Sequence, residues 1–153
     1  MNHEDAYNSF FPIIDEYGKI YRKYALIYAR PAKENEYIET WTADGLETTN
    51  YAKKDDFVVK NLQTEYQEEY IIPEEMFFKR YIKLYDHEEG SIYKPTGKIK
   101  ASVFHGSDTE FVAKWGRLMI LKTGDFIVSP CPDFQEVYRI ARKEFFETYE
   151  EDL

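Results

Sequence analysis

The apolar positions of the chain follow two periods. From the N-terminus, Ala6, Phe10, Ile13, Ile14 and Tyr17 fall three and four residues apart, which is one face of a helix, and Gly18 is a suitable stop. Pro12 interrupts that pattern, because an interior proline removes a helix hydrogen bond. Further along, the period shortens to two. KYALIYA, ending at Ala29, and GKIKASVF, ending at Phe104, alternate as half-buried strands do. Tyr17, Tyr21, Tyr24 and Tyr28 also fit a helix, but the enrichment in Ile and Tyr favours a strand there. IETWTADGLETTNYA, from Ile38, reads as strand, turn, strand around Asp44-Gly45, a strong two-residue hairpin signal. EFVAKWGRLMILK, from Glu110, has the same outline around Lys114-Trp115-Gly116.

These segments recur. KKDDFVV (Lys53 to Val59) aligns with KTGDFIV (Lys122 to Val128), and YQEEYIIPEEMFFKRY (Tyr66 to Tyr81) with FQEVYRIARKEFFETY (Phe134 to Tyr149). Together they give 11 identities in 23 positions, where unrelated segments would give about one or two. The expected fold is therefore mainly β (α+β). It comprises two tandem related units, each a small five-stranded curved sheet or barrel ending in a short helix, behind an N-terminal helical segment. Pro73 suits a first helical position, Glu74 and Glu75 complement the dipole, and Phe77, Phe78 and Tyr81 form an aromatic trio expected to plug the open end of the sheet. Phe145, Phe146 and Tyr149 repeat it. The expected boundaries are 1–21 for the N-terminal extension, 22–85 and 94–149 for the units, 86–93 for an acidic linker and 150–153 for an acidic tail.

Gly124, Asp125 and Phe126 with Glu136, Tyr138, Phe146 and Tyr149, and Asp56 and Phe57 with Glu69, Tyr70, Phe78 and Tyr81, resemble the pattern of small bacterial and phage-associated domains of unknown function. Those domains carry a Pro-Gly-Asp-Tyr or Pro-Gly-Asp-Trp turn. Here Lys54 and Thr123 stand in place of the Pro, and Asp55 in place of the first Gly. The resemblance covers about a third of each half. It implies a fold and no reaction, and it suggests an inhibitor or accessory protein of a phage or mobile element.

Composition narrows the class. The 153 residues include 11 Phe, 14 Tyr and 2 Trp, far more apolar payload than a disordered chain carries. No apolar run approaches a membrane span, and MNHEDAY is no signal peptide, so a cytoplasmic protein is expected. A single cysteine, Cys131, allows no internal disulfide. The net charge of −9 divides as −3 each in 1–21, 86–93 and 150–153, −2 in 22–85 and +2 in 94–149. With no basic stripe, direct nucleic-acid binding is not expected.

Candidate chemistry is sparse. Phosphate-binding glycine motifs are absent, and His3, His87 and His105 share no ligand spacing with Cys131, so neither cofactor nor metal is expected and each histidine reads as a surface residue. Cys131, between Pro130 and Pro132, has no histidine partner in view. Asp56, Asp125, Glu68 and Glu136 recur in both halves and are the best acid–base candidates, yet a turn Asp before a strand ordinarily bonds its own backbone. Glu68 and Glu136 read first as solvated, outward-facing positions. Trp41 and Trp115 could stack a ligand, although a large aromatic more often covers a sheet core. Lys114 and Arg117, with other bases of the second half, could form a local anion-binding face. The first reading is thus a non-enzymatic binding module for a protein or small ligand, contacting it through the aromatic hairpins or the groove between units. The alternative is a small enzyme or binding protein for a nucleotide or sugar-phosphate, using Asp125, Glu136 and nearby bases.

Overall fold

The computed structural model describes residues 1–42 and 45–153. In chain order the elements are α1 (His3–Tyr17), β1 (Lys19–Lys23), β2 (Ile27–Pro31), β3 (Tyr37–Thr42), β4 (Gly45–Tyr51), β5 (Asp56–Asn61), β6 (Glu69–Pro73), α2 (Glu74–Arg80), β7 (Tyr81–His87), β8 (Gly90–Pro95), β9 (Lys98–Val103), β10 (Thr109–Val112), β11 (Leu118–Leu121), β12 (Phe126–Pro130), β13 (Tyr138–Ile140), α3 (Arg142–Thr148) and β14 (Tyr149–Glu151). The protein is mainly β. Asp44, half of the expected hairpin turn, lies outside the described residues.

Two compact units form. Met1–Lys23 joins Gly97–Leu153 in unit 1, and Tyr24–Thr96 makes unit 2. Each has a five-stranded sheet, in the order β13-β12-β9-β1-β14 in unit 1 and β6-β5-β2-β8-β7 in unit 2, and a two-stranded hairpin, β10-β11 or β3-β4. The sheets are open; none closes into the expected barrel. The registers agree: Tyr70 lies opposite Val59 in β5, and Tyr138 opposite Val128 in β12.

The boundaries differ from those expected, because short strands can complete a distant sheet as readily as an adjacent one. Residues 86–93 are not a linker. They belong to the antiparallel β7-β8 pair, with His87 opposite Gly90. The first 23 residues are no detached extension either, since β1 pairs with β9 and β14 in the middle of unit 1. Nor do the units end in a helix. Each short helix runs directly into an edge strand, at Tyr81 and at Tyr149.

In unit 1, α1 is capped by Asn2, whose side chain accepts from Asp5 N at 2.8 Å, and the Gly18 N–H closes its end on Ile14 O, also at 2.8 Å. Pro12 is accommodated within it. The buried stripe is Ala6, Phe10 and Ile14, packed with Phe111, Leu121, Ile127 and Val137, while Ile13 and Tyr17 are exposed. The opposite sheet face is sealed by Phe145, stacked on Phe126 with centroids 3.7 Å apart. Unit 2 builds the same arrangement from Phe77 on Phe57, at 4.5 Å, with Tyr81 and Tyr93 around it. The expected aromatic trio is only partly a plug. Neighbouring residues of a helix point about 100° apart, so Phe77 and Phe145 are buried while Phe78 and Phe146 are exposed.

Candidate functional site

Each recurring Asp closes its own turn. In unit 2, Asp56 Oδ2 accepts from Lys53 N at 2.8 Å; in unit 1, Asp125 Oδ2 accepts from Lys122 N at 2.9 Å. The residue before each is left-handed, Asp55 at φ 67° and Gly124 at φ 93°, which is why a glycine suits the second turn. Asp125 is buried and also paired with Arg139, Nε to Oδ2 2.9 Å. Glu68 is not a solvated position, since it accepts from Asn61 Nδ2 at 2.8 Å and from the Thr64 hydroxyl. Asp125 and Glu136 share no partner among the described residues.

Glu136 instead lines a depression of about 200 Å³ with Lys114, Cys131, Asp133 and Gln135. Burial pushes the Cys131 thiol up, although Lys98 and Lys100 pull the other way. A thiol held protonated is a poor nucleophile. Arg117 is half-buried, near the turn of the β10-β11 hairpin. His3 is partly buried rather than superficial; its Nε2 accepts from Val137 N at 3.2 Å. No cluster of His, Cys, Asp and Glu among the described residues could hold a metal ion.

Unit 2 has a larger groove, about 390 Å³, across the sheet face opposite Phe77, lined by Tyr28, Arg30, Val58, Lys60, Glu69 and His87 among others. In unit 1 that face carries α1. Where Ser129 and Val137 lie beneath the helix, unit 2 has Lys60 and Glu69, charged side chains suited to a face that no helix covers among the described residues. Arg30 is held by Glu36 through two hydrogen bonds of 3.0 and 2.5 Å. The Arg30 bond outweighs burial and holds the Glu36 carboxyl down to about 2.

The tryptophans do not cover a core. Trp41 is 50% exposed and Trp115 55%. Trp115 leans on Tyr138, with centroids 5.6 Å apart. Trp41 belongs to a larger array. In β3, Ile38 and Thr40 face inward, Thr40 Oγ1 donating to Glu69 O at 2.7 Å, so Tyr37, Glu39 and Trp41 share the outer face. Tyr51 lies opposite Tyr37, with rings 5.2 Å apart, and Leu46 opposite Trp41. All four apolar side chains are about half exposed or more. Trp41 Nε1 donates to Glu39 Oε2 at 3.0 Å. Tyr37, Glu39, Leu46 and Tyr51 were not among the sequence candidates, although the period-two spacing of 37, 39 and 41 would have put three of these outer-face positions together. The outer face of the β10-β11 hairpin is mainly aliphatic instead, with Leu118 and Ile120 exposed and Glu110 opposite Ile120.

No protein-family model matches the chain, and no curated protein or solved structure matches it either.

Proposed function

We propose that the protein is a non-enzymatic binding module and that the outer face of the β3-β4 hairpin is its contact surface. The observation that carries this reading is three half-exposed aromatic rings, Tyr37, Trp41 and Tyr51, gathered on one two-stranded element. Soluble proteins seldom leave a contiguous aromatic surface open without a partner for it. Three of the four recurring carboxylates support the same reading by what already occupies them: Asp56 and Asp125 hold turns, Asp125 also pairs with Arg139, and Glu68 is bonded to Asn61 and Thr64.

The two units descend from a duplication in this reading. The identities between the halves favour it, as do the equal registers and the segments Gly18-Lys19-Ile20-Tyr21 and Gly90-Ser91-Ile92-Tyr93, which run into the same place beside β9 and β2 respectively. The copies have since divided their roles. One hairpin face became mainly aromatic and the other mainly aliphatic, each with a glutamate, Glu39 or Glu110.

The test compares partner recovery from host lysate by the full chain and by a Trp41→Ala/Tyr51→Ala variant whose fold is checked by circular dichroism. A partner retained by the first and lost by the second is expected. Equal recovery by both, or none above background at any salt concentration, overturns the reading.

A further inference from the structure

We propose that the hairpin surface recognises a cationic side chain, arginine above all, presented on an extended peptide segment. The inference rests on the reading of that face as the contact surface and names its ligand class. Three features of the outer face point to a cation. The first is the rings: Trp and Tyr faces attract guanidinium and ammonium groups through their negative quadrupole, and Tyr37, Trp41 and Tyr51 all lie half open on this element. The second is the placement of Glu39. Tyr37 and Trp41 flank it two residues away on either side of the same strand, and Trp41 Nε1 donates to its carboxylate, which holds a negative charge between two rings. That donor is neutral and brings the carboxylate no counter-charge. A neutral apolar ligand laid over the strip would have to desolvate the carboxylate without replacing its charge, and an anion would be repelled by it.

The third feature is the surrounding field. Unit 2 holds 15 acidic residues against 9 basic ones, a net charge of −6, so most of the protein's −9 belongs to the unit that bears this face. That field draws a cationic segment in and orients it. Three residues lie between Tyr37 and Trp41, four strand rises or about 13 Å, a span that four residues of an extended peptide match. One guanidinium stacked on Trp41 or on the Tyr37/Tyr51 pair can then reach Glu39. Arginine fits best, because its planar group can stack on a ring and bond a carboxylate at the same time.

The experiment follows the two indole N–H resonances of the full chain by NMR, assigned through Trp41→Phe, so that Trp115 serves as an internal control. The probes are a tri-arginine peptide, a neutral tetraproline peptide and a tri-glutamate peptide, at low and high salt. Saturable shifts of Trp41 alone with tri-arginine are expected, weakened about tenfold in Glu39→Gln and by added salt. Absence of saturation up to about 10 mM, or equal affinity in Glu39→Gln, overturns the inference. Saturable binding of tetraproline without tri-arginine also overturns it while leaving the hairpin standing as a contact surface; binding of tri-glutamate overturns the charge argument outright.

Discussion

At Asp125 one carboxylate does two jobs, closing the turn onto Lys122 N and neutralising Arg139 inside the sheet. Asp125→Asn keeps the shape and removes the charge, so it is expected to cost about 2–4 kcal/mol in urea unfolding. Asp56→Asn, whose acceptor serves a backbone N–H at the exposed end of a turn, should cost about 1 kcal/mol or less. The turn itself makes a second demand. Gly124, at φ 93°, occupies a conformation that a Cβ disfavours, whereas Gly97 has no positive φ and has open space where a Cβ would stand. Gly124→Ala is expected to cost about 1–2 kcal/mol and Gly97→Ala less than about 0.5, read as shifts in thermal midpoint. Glu36 adds a pH dependence. Its folded-state pKa is depressed to about 2 by Arg30, so its contribution is fully present above the ordinary carboxylate range and fades as pH falls from about 5 towards 2. The stability difference between the native chain and Glu36→Gln should therefore shrink across that interval, in urea titrations at several pH values.

Among the elements, the short helices α2 and α3 are seven residues each, too short to persist alone, and are held by one fully buried aromatic apiece. Phe77→Ala and Phe145→Ala are each expected to lose about 3–5 kcal/mol, with hydrogen exchange rising through β5 and β6 in the first and β12 and β13 in the second. Phe78→Ala and Phe146→Ala, at exposed neighbours, should cost far less. The sequence announced both aromatic pairs and placed them on helices, but it assigned both members to the core. Alternation was reliable only in part: the segment ending at Phe104 is strand β9 where expected, whereas in the one ending at Ala29 the residues Tyr24, Ala25 and Leu26 form the break between β1 and β2 and the strand begins at Ile27. The hairpins were legible in outline as strand, turn, strand, β3-β4 and β10-β11. Their outer faces were not, because a tryptophan beside a tight turn reads the same whether its ring covers a core or faces solvent.

Over the whole molecule the two units differ in how the chain supplies their strands. Unit 2 is continuous and contains all five strands of its main sheet, whereas unit 1 needs β1 and α1 from the N-terminal 23 residues. A fragment of residues 24–96 is therefore expected to melt cooperatively by itself. A fragment of 97–153, lacking the inner strand β1 and the helix over Ile127 and Val137, should remain unfolded until a peptide of residues 1–23 is added. Circular dichroism with and without the peptide measures this, and a cooperative melt of 97–153 alone would contradict it.

The sequence by itself determined the mainly β class, the N-terminal helix, the recurring Asp turns and the aromatic anchors, because each of these is written in local spacing and side-chain type. Only the tertiary structure decided which strand joins which sheet, that the expected linker is a hairpin, and that Glu68 is bonded inward. It alone decided that Tyr37, Glu39, Trp41 and Tyr51 form one open face. Those outcomes depend on pairings between residues far apart in the chain, and neither period nor composition carries the identity of a partner strand.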